Sequence, residues 1–319
     1  YTKYPLASGL PELRQLILED LKLPEQDLHI TNGGTEALYC LMRHIQPKGS
    51  EMITSDPSYF VIHKFAKLGG AKCTDIPIYS KNYRFEIEDI KEAINSKTKS
   101  IFFIDPINPL GSTYPESEKR AVCEVAEDHN LWLIDDITYR DFTPNHVLAA
   151  NILPEKTITA YSVSKNCGLA GMRVGSLVGP KDFIADVRGT MVSDLGINVI
   201  GQRAASAALK TKPEWLPGLL ETARRNQEII KETVDKIDGA FLPVYPSAAS
   251  MMIIDISEHN ANPQDVQDKL LYEHDIFVRA GNYVSARFGE NFIRVSFSIP
   301  TEEVERFAEA FPKVMQELT

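Results

Sequence analysis

Short apolar segments alternate with amphipathic segments along the first part of this chain, and this alternation restricts the fold more than any other feature. The apolar segments that predict buried strands are 51–55, 100–104, 131–135, 157–161 and 174–178. Helix-like stretches separate several of them, at 36–45, 88–95 and 116–129. Such alternation is typical of βαβ units and predicts an α/β fold with a mainly parallel sheet. Sheets of this kind bind ligands at the carboxyl ends of their strands.

The pattern changes after a long polar stretch with helical periodicity, which covers residues 213–237. Three later segments predict strands of a smaller α+β unit, at 251–256, 276–279 and 293–297, and an amphipathic helix follows at 302–318. We therefore predict a large domain over residues 1–220 and a smaller C-terminal domain over residues 221–319. Two domains also agree with what a length of 319 residues suggests.

Composition and charge restrict the class of partner. The hydrophobic content of 43% and charged content of 24% are ordinary for a globular protein, and no apolar run approaches the roughly 18 residues of a membrane span. A net charge of −10 argues against nucleic acid as the main partner, because phosphate backbones bind basic surfaces. The four cysteines are scattered without CxxC spacing, which favours a reducing compartment over disulfides or a zinc site. We expect a cytoplasmic protein without a membrane, nucleic-acid or metal partner.

A lysine, Lys165, lies in a Ser- and Gly-rich loop directly after the predicted strand 157–161. The sequence there is Ser162-Val163-Ser164-Lys165-Asn166-Cys167-Gly168-Leu169-Ala170-Gly171-Met172-Arg173-Val174-Gly175. Glycines let the backbone approach a ligand closely, and hydroxyls and a guanidinium suit a phosphate. A lysine beside a phosphate site suggests an amine kept for covalent chemistry on a phosphorylated aldehyde. A solvated loop lysine, with Arg173 in a salt bridge, is the alternative for a lone lysine.

The pattern Ser-x-x-Lys-x-x-Gly-Leu-x-Gly-x-Arg-x-Gly closely resembles the lysine signature of one enzyme family. That family is the fold-type I, class I/II aminotransferases, the aspartate aminotransferase-like enzymes that use pyridoxal 5′-phosphate (PLP). The resemblance implies that Lys165 carries PLP covalently and serves as the catalytic base, and that Ser162, Ser164 and Arg173 hold its phosphate. A match over fourteen positions outweighs the solvated-lysine alternative.

A second candidate phosphate site is the segment Asn32-Gly33-Gly34-Thr35-Glu36, which follows a short strand and opens a helix. Free amides and the helix dipole bind anions at such an N-terminus, so we expect Gly33, Gly34 and Thr35 to contact the phosphate. A plain turn with Thr35 as N-cap would have the same sequence. The segment is neither a Walker loop nor GxGxxG, so a dinucleotide site is not indicated.

The resemblance also implies roles for side chains that follow two other predicted strands. Tyr59 stands two residues after Pro57, where the family has an aromatic residue that stacks on the pyridine ring. Asn108 lies in an Asn-Pro-Leu-Gly turn similar to the family's Asn-Pro-Thr-Gly, and would donate to the 3′-oxygen of PLP and border the substrate. Taken alone, a packed tyrosine and a common Asn-Pro turn are equally consistent with these residues.

Two aspartates, Asp135 and Asp136, end the predicted strand 131–135. Neighbouring strand residues point in opposite directions, so only one of them should face the pocket. The family spacing Asp-x-x-Tyr selects Asp136 with Tyr139, because Asp135 would pair with Thr138, which lacks a phenol. The resemblance implies that Asp136 keeps the pyridine nitrogen protonated and that Tyr139 reaches the 3′-oxygen. A helix or turn cap is the alternative.

Two more residues are assigned by the resemblance. Arg294 lies in a strand similar to the family's Ile/Leu-Arg-x-Ser, and this implies a bidentate contact with the substrate α-carboxylate that lysine cannot copy. Tyr4, five residues before Gly9, resembles a tyrosine that crosses a homodimer interface to the partner's cofactor phosphate, with Tyr1 as a competitor. The chain opens inside what resembles a motif, so we expect a preceding segment to be missing.

The resemblance predicts transfer of an amino group between an L-amino acid and a 2-oxo acid by a ping-pong mechanism, in a homodimer with shared active sites. A histidinol-phosphate-type aminotransferase is an alternative, because Gly168-Leu169-Ala170-Gly171 also suits that branch. The same residues would serve a β-lyase or a decarboxylase, and some transcription regulators use such a domain to sense PLP. Thr35 stands where one aspartate aminotransferase subgroup has a lysine for the distal carboxylate, so this position does not indicate an acidic substrate.

Overall fold

A seven-stranded mixed sheet forms the centre of the first part of the molecule. The computed structural model describes residues 4–191, 195–259 and 261–318. The strands of this sheet are β1 (Asp27–Thr31), β2 (Glu51–Asp56), β3 (Lys72–Pro77), β4 (Thr98–Ile104), β5 (Trp132–Asp136), β6 (Thr157–Ser162) and β7 (Gly175–Gly179), in the spatial order β1-β7-β6-β5-β4-β2-β3. Strands β2 to β6 run parallel, whereas β7 is antiparallel to both neighbours. The predicted mainly parallel α/β fold is confirmed.

Helices cover both faces of this sheet, which explains why its strands are apolar along their whole length. Within the described ranges the α-helices are α1 (Pro11–Leu21), α2 (Gly34–Ile45), α3 (Val61–Leu68), α4 (Ile87–Ala93), α5 (Glu116–Asp128), α6 (Lys181–Thr190), α7 (Val199–Lys210), α8 (Lys212–Val234), α9 (Pro263–His274) and α10 (Thr301–Glu317). In β4, Phe103 packs in the core beneath α5, whereas the next residue along, Ile104, packs in the core beneath α2. None of the described helices has the length and apolar character that crossing a membrane requires.

A second, three-stranded antiparallel sheet lies in the C-terminal part of the chain. Its strands are β8 (Met251–Asp255), β9 (Arg279–Ala280) and β10 (Phe292–Ser296), in the order β8-β10-β9. Alternation along β10 separates two faces: Ile293 packs with residues of α8 to α10, whereas Phe292 packs with residues of the large sheet. Arg294 is therefore on the face that turns toward the large sheet.

The predicted strand 276–279 is shorter in the structure, because only Arg279 and Ala280 pair with β10. The predicted domain boundary near residue 220 falls inside α8, and the division into two domains remains a prediction.

Candidate active site

A cavity of about 300 Å³ lies between the two sheets, at the carboxyl ends of strands of the large sheet. Side chains that follow β2, β4, β5 and β6 meet there, together with the start of α2 and part of β10. The cavity brings together most of the residues singled out from the sequence, namely Gly34, Thr35, Tyr59, Asn108, Asp136, Tyr139, Ser162, Ser164, Lys165, Arg173 and Arg294. Residues up to 262 positions apart in sequence thus form one site (34 to 296).

Two of the predicted residues do not line the cavity. Gly33 lies immediately behind Gly34, as the residue that precedes α2. Tyr4 is 81% exposed and lies outside the cavity of its own chain. Its predicted contact is with a partner's site, so that role remains a prediction, and Tyr1 lies outside the described residues.

The glycine turn before α2 packs tightly against Arg173. A Cβ on Gly33, which has a φ of +83°, would lie 2.3 Å from Arg173 Nη2, so only glycine leaves room for the guanidinium. Arg173 Nη2 donates to the Asn32 carbonyl oxygen at 3.1 Å, which holds the guanidinium over the turn. Ser162 lies beside Gly34, and its hydroxyl oxygen accepts a hydrogen bond from the amide of Ser164 at 3.2 Å. Free helix N–H groups, hydroxyls and a guanidinium therefore face one corner of the cavity, as an anion site requires.

The two adjacent aspartates have different surroundings. Asp136 lines the cavity, and its Oδ1 accepts hydrogen bonds from the amide of Thr138 at 3.1 Å and from its hydroxyl at 2.6 Å. No described lysine, arginine or histidine forms an ion pair with Asp136, and burial raises its pKa to about 6 although the Thr138 hydrogen bonds oppose this. Asp135 lies away from the cavity and accepts from the amide of Ala149 at 3.0 Å. A cationic group in the cavity would compensate the buried Asp136 carboxylate.

The Lys165 amine lies among cations in a partly buried site. Burial lowers the pKa of Lys165, and the charges of Arg294 and Arg173 lower it further. Its amine therefore loses its proton at a lower pH than an ordinary lysine, as a nucleophile or a general base needs. The phenol of Tyr139 is buried beside it in the cavity, and burial raises the pKa of Tyr139. The phenols of Tyr59 and Tyr139 thus stay protonated at neutral pH, since burial also raises the pKa of Tyr59.

A tight turn after β4 positions Asn108. The Gly111 amide donates to the Ile107 carbonyl at 2.7 Å, and a Cβ on Gly111 would lie 2.1 Å from the Ser247 hydroxyl oxygen. Leu110, which replaces the threonine of the family pattern, is fully buried in the core and does not face the cavity. The substitution therefore leaves the asparagine in place.

A buried ionic cluster lies behind this turn. Asp105 forms an ion pair with Lys119 and a hydrogen bond of 2.8 Å with His146 Nε2, while its other oxygen accepts from the Thr113 hydroxyl at 2.7 Å. Lys119 is only 1% exposed. Burial alone would raise the pKa of Asp105, but the hydrogen bond from His146 and the charge of Lys119 hold it below its ordinary value. The cluster thus anchors both ends of the segment that carries Asn108.

Several cavity residues were not found from the sequence. They are Leu38, Ile104, Thr138, Ala170, Ser250, Met251, Arg279, Tyr283 and Ser296. Thr138 had a local signal, because Asp-x-Thr spacing favours a hydrogen bond from the threonine back to the aspartate. Arg279 ends a predicted strand and carries no motif, so only the pairing of β9 with β10 places it in the cavity.

The cavity is strongly cationic. Among the described residues that line it, Lys165, Arg173, Arg279 and Arg294 are basic and Asp136 is the single carboxylate. The described part of the chain contains no group of three or more His, Cys, Asp or Glu side chains that could hold a metal ion. This arrangement suits ligands with several negative charges.

Comparison with known proteins identifies similar chains over the whole length. The family model described as "Aminotransferase class I and II" matches residues 1–311. A probable aspartate/prephenate aminotransferase of Thermus aquaticus is 27% identical, with 99% of this chain and 84% of the relative covered. An arginine–pyruvate transaminase of Pseudomonas aeruginosa is 28% identical, with 88% of this chain and 74% of the relative covered.

Solved structures share the fold. A PLP-dependent aminotransferase from Streptococcus suis superposes with a TM-score of 0.91 at 20% identity, covering 100% of this chain and 85% of the other. An aspartate aminotransferase from Thermus thermophilus, solved with maleate, gives a TM-score of 0.86 at 25% identity, covering 98% and 84% of the two chains.

Proposed function

The chain belongs to the aminotransferase class I and II family, and we propose that it carries PLP covalently on Lys165. It then exchanges an amino group between an L-amino acid and a 2-oxo acid in a ping-pong cycle. The observation that carries this proposal is one cavity in which Lys165, Asp136 and Arg294 meet beside the anion site at Arg173. Each of these four side chains could bind or react with a group of PLP or of an amino acid.

The residues present fit the cofactor. The corner formed by Gly34, Thr35, Ser162 and Arg173 offers amides, hydroxyls and a guanidinium to a phosphate, and Gly33 leaves the space that Arg173 needs. The buried Asp136 carboxylate lacks a cationic partner in the described part of the chain, which a protonated pyridine nitrogen would supply. Tyr59 and Tyr139 are aromatic groups on the cavity wall that suit a flat ring.

When bound, PLP takes up the amino group and delocalises the negative charge that develops at the substrate Cα. Asp136 would stabilise this charge by holding the ring nitrogen protonated. Because Oδ1 of Asp136 already accepts two hydrogen bonds from Thr138, its Oδ2 is the oxygen left for the ring nitrogen. Thr138 therefore positions the carboxylate.

Lys165 would act twice in the cycle. Its amine first gives way to the substrate amine, and the freed amine then accepts the proton from the substrate Cα. Accepting that proton requires an unprotonated Lys165 amine, and burial together with Arg294 and Arg173 lowers the pKa of Lys165 in that direction. In the second half of the cycle the same amine returns a proton to the Cα of the new amino acid.

Arg294 would fix the orientation of the substrate by binding its α-carboxylate. The planar guanidinium matches a carboxylate in a bidentate geometry, and Arg294 has no carboxylate partner among the described residues. Asn108, which accepts a hydrogen bond from Arg294 at 3.0 Å, keeps its amide N–H groups for the cofactor's 3′-oxygen, and the Tyr139 phenol donates to the same atom.

The proposal includes a homodimer with shared sites. Large apolar side chains that are exposed lie on neighbouring segments: Leu6, Met172, Leu195 and Ile200. These segments touch each other, since Asn198 Nδ2 donates to the Met172 carbonyl at 3.0 Å and a Cβ on Gly196 would meet Pro5 at 2.8 Å. Contiguous exposed apolar surface indicates an association site. Because Met172 adjoins Arg173, a second copy that covers this patch would lie next to the cofactor corner. The cytoplasmic location also remains a prediction.

Reduction with borohydride tests the proposal directly. The protein loaded with PLP and then reduced should carry the label on the peptide that contains Lys165, and Lys165→Ala should bind PLP without being labelled. Mixing the loaded protein with single L-amino acids should convert the cofactor to pyridoxamine phosphate and release a 2-oxo acid. A label on another lysine would overturn the assignment of Lys165. Release of carbon dioxide or of ammonia, without pyridoxamine phosphate, would show a decarboxylase or a β-lyase instead.

A further inference from the structure

Two arginines stand directly opposite each other on the cavity side of the small sheet. Arg279 of β9 pairs with Arg294 of β10 in the antiparallel register. Directly opposed residues share one face of a sheet, and like charges in such positions are destabilising. Burial lowers the pKa of Arg294, and the charge of Arg279 lowers it further. The pair is therefore costly by itself, and anionic groups beside the two guanidinium groups would relieve this cost.

Arg279 is held in place by aromatic rings. Its guanidinium carbon lies 4.2 Å from the ring centre of Tyr283 and 4.7 Å from that of Phe277. No carboxylate in the described ranges forms an ion pair with Arg279, and its buried Nε has no hydrogen-bond partner there. A planar guanidinium that is already ordered and unpaired is prepared to bind an anion.

The proposed amino-group transfer uses the other basic residues of the cavity but gives no role to Arg279. On the proposed function, the cofactor phosphate faces Arg173, the ring nitrogen faces Asp136, and the substrate α-carboxylate faces Arg294. Lys165 is joined to the cofactor, so Arg279 is the remaining basic residue of the cavity, on the wall that Arg294 shares. We propose that Arg279 binds a second anionic group on the substrate side chain, so that the enzyme acts on acidic amino acids and on the corresponding 2-oxo acids.

This inference rests on the proposed function and adds a substrate class to it. The residue at position 35, a threonine, does not supply a cation for a distal carboxylate. Arg279, on the wall of the cavity formed by the small sheet, supplies such a cation instead. The second anionic group can be a carboxylate or a phosphate, since a guanidinium forms bidentate hydrogen bonds with both.

Matched substrates that differ by one charge test the inference. In single-turnover half-reactions of the loaded enzyme, we expect L-aspartate or L-glutamate to react with a higher kcat/KM than L-asparagine or L-glutamine, by about tenfold or more. The same comparison of O-phospho-L-serine with L-serine tests whether the second anionic group can be a phosphate. Arg279→Gln should reduce the preference for the charged member of a pair by about 10- to 100-fold. Arg224→Gln, which removes an exposed arginine on α8, should leave the preference unchanged.

Binding of an unreactive ligand gives a second readout. Succinate should bind the loaded enzyme more tightly than its monoamide, succinamate, and Arg279→Gln should remove this difference. If L-amino acids react but no pair shows a preference for the charged member, the inference fails while the proposed function stands. An equal loss for charged and neutral members in Arg279→Gln would also overturn it, because Arg279 would then share the α-carboxylate with Arg294. If no L-amino acid reacts, the proposed function itself fails.

Discussion

Arg294 of the small sheet donates a hydrogen bond from Nη1 to Oδ1 of Asn108, 186 residues earlier in the chain, at 3.0 Å. The bond joins β10 to the turn that follows β4, across the cavity. Because Oδ1 is the acceptor, the amide nitrogen of Asn108 is free to donate to a ligand. One interaction therefore orients both the group proposed to bind the substrate carboxylate and a group proposed to bind the cofactor.

Replacing Arg294 by lysine should weaken catalysis with every amino acid. The variant keeps the positive charge but loses the planar fork and the hydrogen bond to Asn108. We expect kcat/KM to fall by an amount equivalent to about 2–4 kcal/mol, the usual cost of disturbing a buried charged pair. Charged and neutral substrates should lose equally, in contrast to Arg279→Gln. A near-normal kcat/KM in a variant that still binds PLP would show that the α-carboxylate binds elsewhere.

Replacing Asp136 by asparagine should abolish most activity but leave the fold intact. Asparagine still accepts the Thr138 hydrogen bonds through Oδ1, but it cannot hold the ring nitrogen protonated. Asp135→Asn is the matched control, since Asp135 ends the same strand and lies outside the cavity. Its effect on kcat should be much smaller. If the two effects were reversed, the register inferred for this strand would be wrong.

Asp136→Asn should also change the stability of the protein, by an amount that depends on pH. The pKa of Asp136 rises from 3.8 to about 6 in the folded protein, so the folded state binds more protons than the unfolded state between these values. The free energy of unfolding of the cofactor-free protein therefore decreases as the pH rises from about 4 to 6. Asp136→Asn removes this loss, and should raise the free energy of unfolding by about 1–3 kcal/mol at pH 7.5. Urea unfolding should show almost no gain at pH 4, and a gain that did not grow with pH would show that burial of the charged carboxylate is not its cause.

The sequence was sufficient for features that depend on local pattern. Lys165 and Asp136 follow apolar strands, and in a parallel sheet the ends of such strands converge on one site. Strand direction is not encoded in an apolar run, which is why the antiparallel course of β7 could not be read from residues 174–178.

Residues whose positions depend on contacts between different segments of the chain were not predicted from the sequence. Arg279 enters the cavity through only two paired positions with β10. Lys119 belongs to an amphipathic helix, where a lysine is normally solvated, yet it is buried against Asp105, which follows another strand. No local sequence pattern identifies an ion-pair partner on a different element of the fold.

Replacing Lys119 by methionine should destabilise the protein strongly. The Asp105 carboxylate would stay buried with hydrogen bonds, including that of His146, but without the lysine charge, and uncompensated buried charges typically cost about 3–5 kcal/mol. Lys91→Met is the matched control, because Lys91 pairs with Glu88 on the surface of α4 and such pairs contribute about 0–1 kcal/mol. Denaturant unfolding of both variants measures the difference. Equal small effects would mean that His146 alone compensates Asp105.

The last prediction concerns the shared site. Tyr4 is exposed and does not line the cavity of its own chain, so we expect any contact with PLP to be made in a second copy of the chain. Two-fold dimers are the commonest soluble oligomers, and stable ones bury about 2,000 Å² or more. Ile200→Glu on the exposed apolar patch should weaken such a dimer, whereas Tyr272→Glu, an exposed residue of α9, should not.

If the site is shared, Tyr4→Phe should bind PLP more weakly. Hybrids of Tyr4→Phe and Lys165→Ala subunits would then have one site with both changes and one site with neither. Such hybrids should recover about half of the wild-type activity per dimer and bind one PLP with wild-type affinity, because each subunit completes its partner's site. Sedimentation that showed an active monomer, or verified hybrids without a wild-type site, would refute the shared arrangement.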